Sequence, residues 1–118
     1  MRDLAPSITR QRLLLEGFFT VDVGEETVRD FLLGLPRSLD LRTYGEPAVF
    51  APQGRSENGN EGFDAFIPLV DSGISLYVWQ TQRFLSLIVF TCKAFDAAAA
   101  VRYTRDYFRM TETEQEAF

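Results

Sequence analysis

Three apolar runs of strand length, residues 63–70, 74–80 and 84–92, follow one another with only three residues in each joint. No other feature restricts the fold as much. Strands joined so briefly pair antiparallel, because a parallel pair needs a crossover of a dozen residues or more. The joints, Asp71-Ser72-Gly73 and Thr81-Gln82-Arg83, are turn-like. Pro68 inside the first run marks an edge strand or a bulge. The second run alternates, with Ile74, Leu76 and Val78 on one face and Tyr77 and Trp79 on the other. A sheet apolar on both faces needs a cover on each, and helices on one side leave the other for sheet-on-sheet dimerisation.

The remaining chain supplies the helices and flanking strands. Residues 13–21 form an apolar run interrupted by Glu16 and Gly17, the glycine marking a bulge or a close backbone approach. Val28, Phe31, Leu32 and Leu35 recur at helical spacing over residues 24–35, with Glu25 and Glu26 in the first turn and Pro36 as the stop. Residues 39–43 alternate as a strand, and 48–51 form another. Residues 53–62 read as an exposed loop. Asp96 caps a second helix reaching Met110, with Ala97, Ala100, Val101, Thr104 and Phe108 on its buried stripe. The expected order is β-α-β-β-β-β-β-α: an α+β fold with a mostly antiparallel sheet and two helices packed on one face. Residues 1–12 read as a flexible polar arm, 13–110 as one domain, and 111–118 as an acidic, frayed tail.

Composition narrows the chemistry. The 118 residues contain no histidine, which excludes histidine triads, histidine-ligated zinc and imidazole proton shuttles. No metal ligand set is expected. A formal net charge of −5 disfavours nucleic acid and anionic membrane as partners. The single cysteine, Cys92, closes no intrachain disulfide, and no run approaches the ~20 apolar residues that span a bilayer. Without an apolar leader at residues 1–12, cytoplasm is the expected compartment.

Read without further context, Asp71-Ser72-Gly73 is an ordinary turn and Cys92 a buried thiol at a strand end. The stretch Asp71-Ser72-Gly73-Ile74-Ser75-Leu76-Tyr77-Val78-Trp79, followed by Phe90-Thr91-Cys92, nevertheless resembles the prokaryotic S-adenosylmethionine decarboxylase proenzymes. Their acidic-Ser-His segment and their Phe-Thr-Cys-Gly strand end stand at the same spacing. Residues 12–18 resemble the family's opening strand with its acidic residue, here Glu16. Phe50-Ala51-Pro52 resembles a Phe-Leu-Pro element, and residues 62–70 the strand entering the serine turn, whereas 53–61 look inserted. The resemblance implies the α/β sandwich of that family and a set of roles. Ser72 matches the serine that becomes a pyruvoyl group after self-cleavage. Cys92 matches the proton donor in decarboxylation. Phe50 matches the ring that stacks on the sulfonium-bearing substrate, a cation that an aromatic face attracts. Glu16 is the nearest carboxylate for the substrate ammonium.

The departures fall on the processing residues. Tyr77 stands where the family has the histidine that removes a proton during cleavage. Phenols are almost wholly protonated at neutral pH, so Tyr77 is a poor replacement base. Gly73 replaces the other histidine. Asp64 replaces a serine that supports the intermediate, and its carboxylate would oppose a developing oxyanion. Gln80-Thr81 replace the Pro-Glu whose carboxylate holds the ribose. The expectation is a family member in polyamine metabolism without the self-cleavage and hence without a cofactor. It would bind S-adenosylmethionine or a related metabolite as a homodimer, or regulate a paralogous decarboxylase subunit. The alternative is a working pyruvoyl-dependent lyase, with its pyruvoyl made from Ser72, acting on S-adenosylmethionine or another amino acid. A lyase using Tyr77 or Glu16 instead, and a purely structural dimeric module, stand behind these.

Overall fold

The computed structural model describes residues 1–52 and 61–118. Its elements are β1 (Gln11–Phe18), α1 (Glu25–Ser38), β2 (Ala48–Phe50), β3 (Phe63–Leu69), β4 (Ser72–Trp79), β5 (Phe84–Thr91), α2 (Ala97–Phe108) and β6 (Thr113–Ala117). The strands form one six-stranded sheet in the order β2-β3-β4-β5-β1-β6, every pair antiparallel. The expected fold class is the observed one. Most of the loop expected at 53–62 lies outside the described residues.

Alternation along the strands sorts the side chains into two layers. Leu13, Leu15, Ile67, Leu69, Ile74, Leu76, Val78, Leu85, Leu87 and Val89 are all buried against the helices. From the helices come Val28, Phe31, Leu32 and Leu35 of α1 and Ala100, Val101, Thr104 and Phe108 of α2. The Asp96 side chain accepts from the Ala99 amide at 3.0 Å and starts α2 as its spacing predicts. Among the described residues the opposite face has no such cover. Phe66 and Phe18 there stay 43% and 42% exposed, and Tyr77 and Phe90 are open too.

Five local expectations need correction. Pro36 does not stop α1, which continues to Ser38. A proline gives up only its own N–H, and the Leu35 and Pro36 carbonyls are still taken by the amides of Leu39 (3.2 Å) and Leu41 (2.8 Å). Residues 39–43 form no strand; a single bridge, Thr43 to Leu69, holds them beside the end of β3. Ser72 is not in a turn. It is the first residue of β4, paired with Leu69, and the reversal is made by Val70 and Asp71, the latter at φ 55°. Finally, the acidic tail is not frayed: Arg109 at φ 46° reverses the chain after α2, and β6 pairs with β1 from Gly17 to Leu13. Likewise β1 starts at Gln11, inside the stretch read as an arm. Gly17 provides the close approach expected of it, since a Cβ there would lie 2.1 Å from the Glu112 carbonyl oxygen.

Candidate functional site

Ser72 and Cys92 meet at one end of the sheet. The Cys92 amide donates to Ser72 Oγ at 3.1 Å. Cys92 lies one residue past β5, in a turn fixed by the Thr91 hydroxyl, which donates to the Lys93 carbonyl at 2.7 Å. The Gln11 side chain braces the same turn, donating to the Phe95 carbonyl (2.9 Å) and accepting from the Phe95 amide (3.0 Å). The thiol is free and partly accessible. Beside the pair is a cavity of about 220 Å³ lined by Leu41, Arg42, Leu69, Asp71, Ser72, Cys92 and Lys93. Lys93 Nζ donates to the Asp40 carbonyl at 3.0 Å and stands 3.8 Å from its carboxylate. The two cations flanking Ser72 carry no family signature in the sequence and were not among the residues singled out from it.

The other candidates lie elsewhere. Register places Phe50, Asp64, Tyr77, Ser86, Glu16 and Glu114 in one row across the open face. Phe50 is 66% exposed. The Ser86 hydroxyl, on a buried residue, donates to Glu16 Oε2 at 2.8 Å. Ser86 is the functional-row residue that sequence reading passed over. Its signal is the one hydroxyl inside the apolar run of residues 84–90, on the strand that pairs with the one carrying a lone acid.

Ser72 and Tyr77 are not brought together. Five residues apart on one strand, they face opposite sides of the sheet and their backbones are separated by roughly 17 Å. Nor does one chain bring Phe50 to Glu16, since four strand spacings put them about 19 Å apart. Gly73 lies under the Phe66 ring, and a Cβ at 73 would meet that ring at 2.7 Å. Aromatic carbon thus occupies the space over the position where the family has a histidine.

A family profile described as S-adenosylmethionine decarboxylase matches residues 24–118. The match includes Phe50, Ser72, Tyr77 and Cys92, whereas Glu16 precedes it. Among solved structures, the chain is similar to the crystal structure of the adenosylmethionine decarboxylase from Aquifex aeolicus VF5, with a TM-score of 0.74 at 17% identity. That likeness covers 94% of this chain and 89% of the other. No curated protein matches. At this identity the structural likeness speaks for the fold.

Proposed function

The chain belongs to the S-adenosylmethionine decarboxylase family, and on that premise we propose that it is a ligand-binding or regulatory member that does not cleave itself. The observation that carries this reading is the phenol of Tyr77 at the position of the family's histidine base, paired across the ladder with the Asp64 carboxylate that replaces a serine. In the family the residue at the Tyr77 position acts as the base in cleavage. Here the groups around Ser72 are the Cys92 amide, Arg42, Lys93 and Asp71. Asp71 is the residue whose own carbonyl the serine would attack, which leaves it ill placed to take a proton as well. These surroundings argue against a pyruvoyl group, and the chain works without a cofactor.

The ligand is S-adenosylmethionine or a related sulfonium metabolite of polyamine biosynthesis, held against the open ring of Phe50. Glu16, steadied by Ser86, meets an ammonium group. With Phe50 and Glu16 so far apart in one chain, a second copy laid sheet to sheet completes the site, so the working form is a cytoplasmic homodimer. A paralogous decarboxylase subunit could take the place of the second copy. The missing ribose carboxylate at Thr81 removes a charge-assisted hydrogen bond of roughly 1.5–3 kcal/mol, which makes binding about ten- to a hundredfold weaker.

Denaturing mass spectrometry tests the first part. The expected result is the full-length mass; two fragments divided between Asp71 and Ser72 would replace this reading with the active lyase, which the Ser72–Cys92 contact favours. Calorimetric titration with S-adenosylmethionine tests the second. Weak binding is expected for the wild type and none for Phe50→Ala. No binding to the wild type at millimolar ligand would leave a protein partner or a different metabolite.

A further inference from the structure

A second cavity, of about 740 Å³, lies between residues 1–10 and the start of β1, away from Ser72. Leu4, Ile8 and Phe118 supply its apolar wall, and Arg10, Arg12 and Asp3 its charges. Leu4 is 78% exposed, so that wall is accessible to a ligand.

The two arginines differ in their partners. Arg10 is satisfied: it pairs with the Asp3 carboxylate and donates to the Ala5 carbonyl at 3.2 Å. Asp3 also accepts from the Ala5 amide at 3.0 Å. Among the described residues Arg12 forms no salt bridge, although its charge acts on the Asp3 carboxylate from a distance. Its guanidinium carbon lies 5.7 Å from the centre of the Phe118 ring, and its Nε is buried with no hydrogen-bond partner among the described residues. A buried, charged N–H without an acceptor is costly. Arg2 adds a further positive charge to the lining, so this corner is cationic on a chain of net charge −5.

We infer that this cavity binds a small amphiphilic carboxylate, with its oxygens on the Arg12 guanidinium and its apolar body against Leu4, Ile8 and Phe118. The guanidinium fork matches a carboxylate in two parallel hydrogen bonds, and the Phe118 ring attracts the same cation from 5.7 Å. Leu4, Ile8 and Phe118 disfavour a strongly hydrated inorganic anion and suit an alkyl or aryl body. Most of the wall precedes residue 24, outside the family match. Arg12 pairs with Phe90 and Phe90 with Gly73, so the two cavities are separated by two strand spacings, about 10 Å.

The test is calorimetric titration of the full chain with octanoate, octanol and inorganic phosphate. Octanoate should bind saturably, one per chain, with octanol and phosphate each at least about tenfold weaker. Arg12→Gln should weaken octanoate by about tenfold or more, and Arg12→Lys by less. Absence of saturable octanoate binding to the wild type overturns the inference, as does equal affinity in Arg12→Gln. Octanol as tight as octanoate would mean only an apolar patch, and phosphate as tight only an anion site; either result also overturns it. Both of those comparisons use the wild type, so they stand even if a variant fails to fold.

Discussion

Tyr107 joins the two helices: its hydroxyl donates to the Thr27 carbonyl at 2.7 Å, and its ring lies 5.2 Å from that of Phe31. Burial pushes the phenol above the ordinary tyrosine range, and the Asp30 carboxylate and Tyr103 add to the shift. Because the folded chain prefers the protonated phenol, its contribution is complete below the unfolded pKa near ~10. It is lost as pH rises from there through the higher folded value. Urea unfolding from pH 8 to 11 should show Tyr107→Phe about 0.5–1.5 kcal/mol less stable at neutral pH. The gap should narrow at the alkaline end, and a constant gap would contradict the assignment. The site residues were legible at this same scale only in part. Ser72 and Cys92 were singled out only through the family resemblance, and the structure brings them together. The Glu16–Ser86 contact bridges 70 positions and depends on register, which no local pattern encodes.

Among the elements, the hairpins β3–β4–β5 were the most legible, because short joints and period-two alternation both point to one arrangement. β6 was the least. Its residues Thr113–Ala117 have low strand propensity and few apolar side chains, so only pairing with β1 makes them a strand. Two predictions follow from how that pairing is made. Glu114 lies directly across from Glu16. Like charges opposed across a ladder are unfavourable, so Glu114→Gln should raise stability by about 0.2–1 kcal/mol, read as a higher urea midpoint. Gly17→Ala should act the other way, because its Cβ collides with the Glu112 carbonyl that accepts from the Phe18 amide at 3.0 Å. A loss of about 1–3 kcal/mol is expected, with amide exchange rising first in β6. Unchanged protection there would mean that the edge strand adjusts freely.

For the whole molecule, the decisive feature is the sheet face that the helices leave bare. Phe18, Phe66, Tyr77 and Phe90 lie on it, with Asp64, Glu16 and Glu114 in one row toward one end of its strands. Spanning roughly 20–25 Å each way, it approaches the ~800 Å² per partner of a stable interface once side-chain relief is counted. The apolar part favours a second copy, while the acidic row repels one. The proposed homodimer should therefore tighten as salt screens the carboxylates, the reverse of an interface held by ion pairs. Sedimentation at micromolar concentration should give twice the 13.4 kDa chain mass, with more dimer at 0.5 M than at 0.05 M sodium chloride. Phe90→Glu should shift the balance to monomer without unfolding the chain, since Arg12 stands opposite residue 90 and can pair with the new carboxylate. A wild type that stays monomeric at both salt concentrations would rule out the second copy as the cover. It would leave the Phe50 and Glu16 ends of the site to be completed by a different chain.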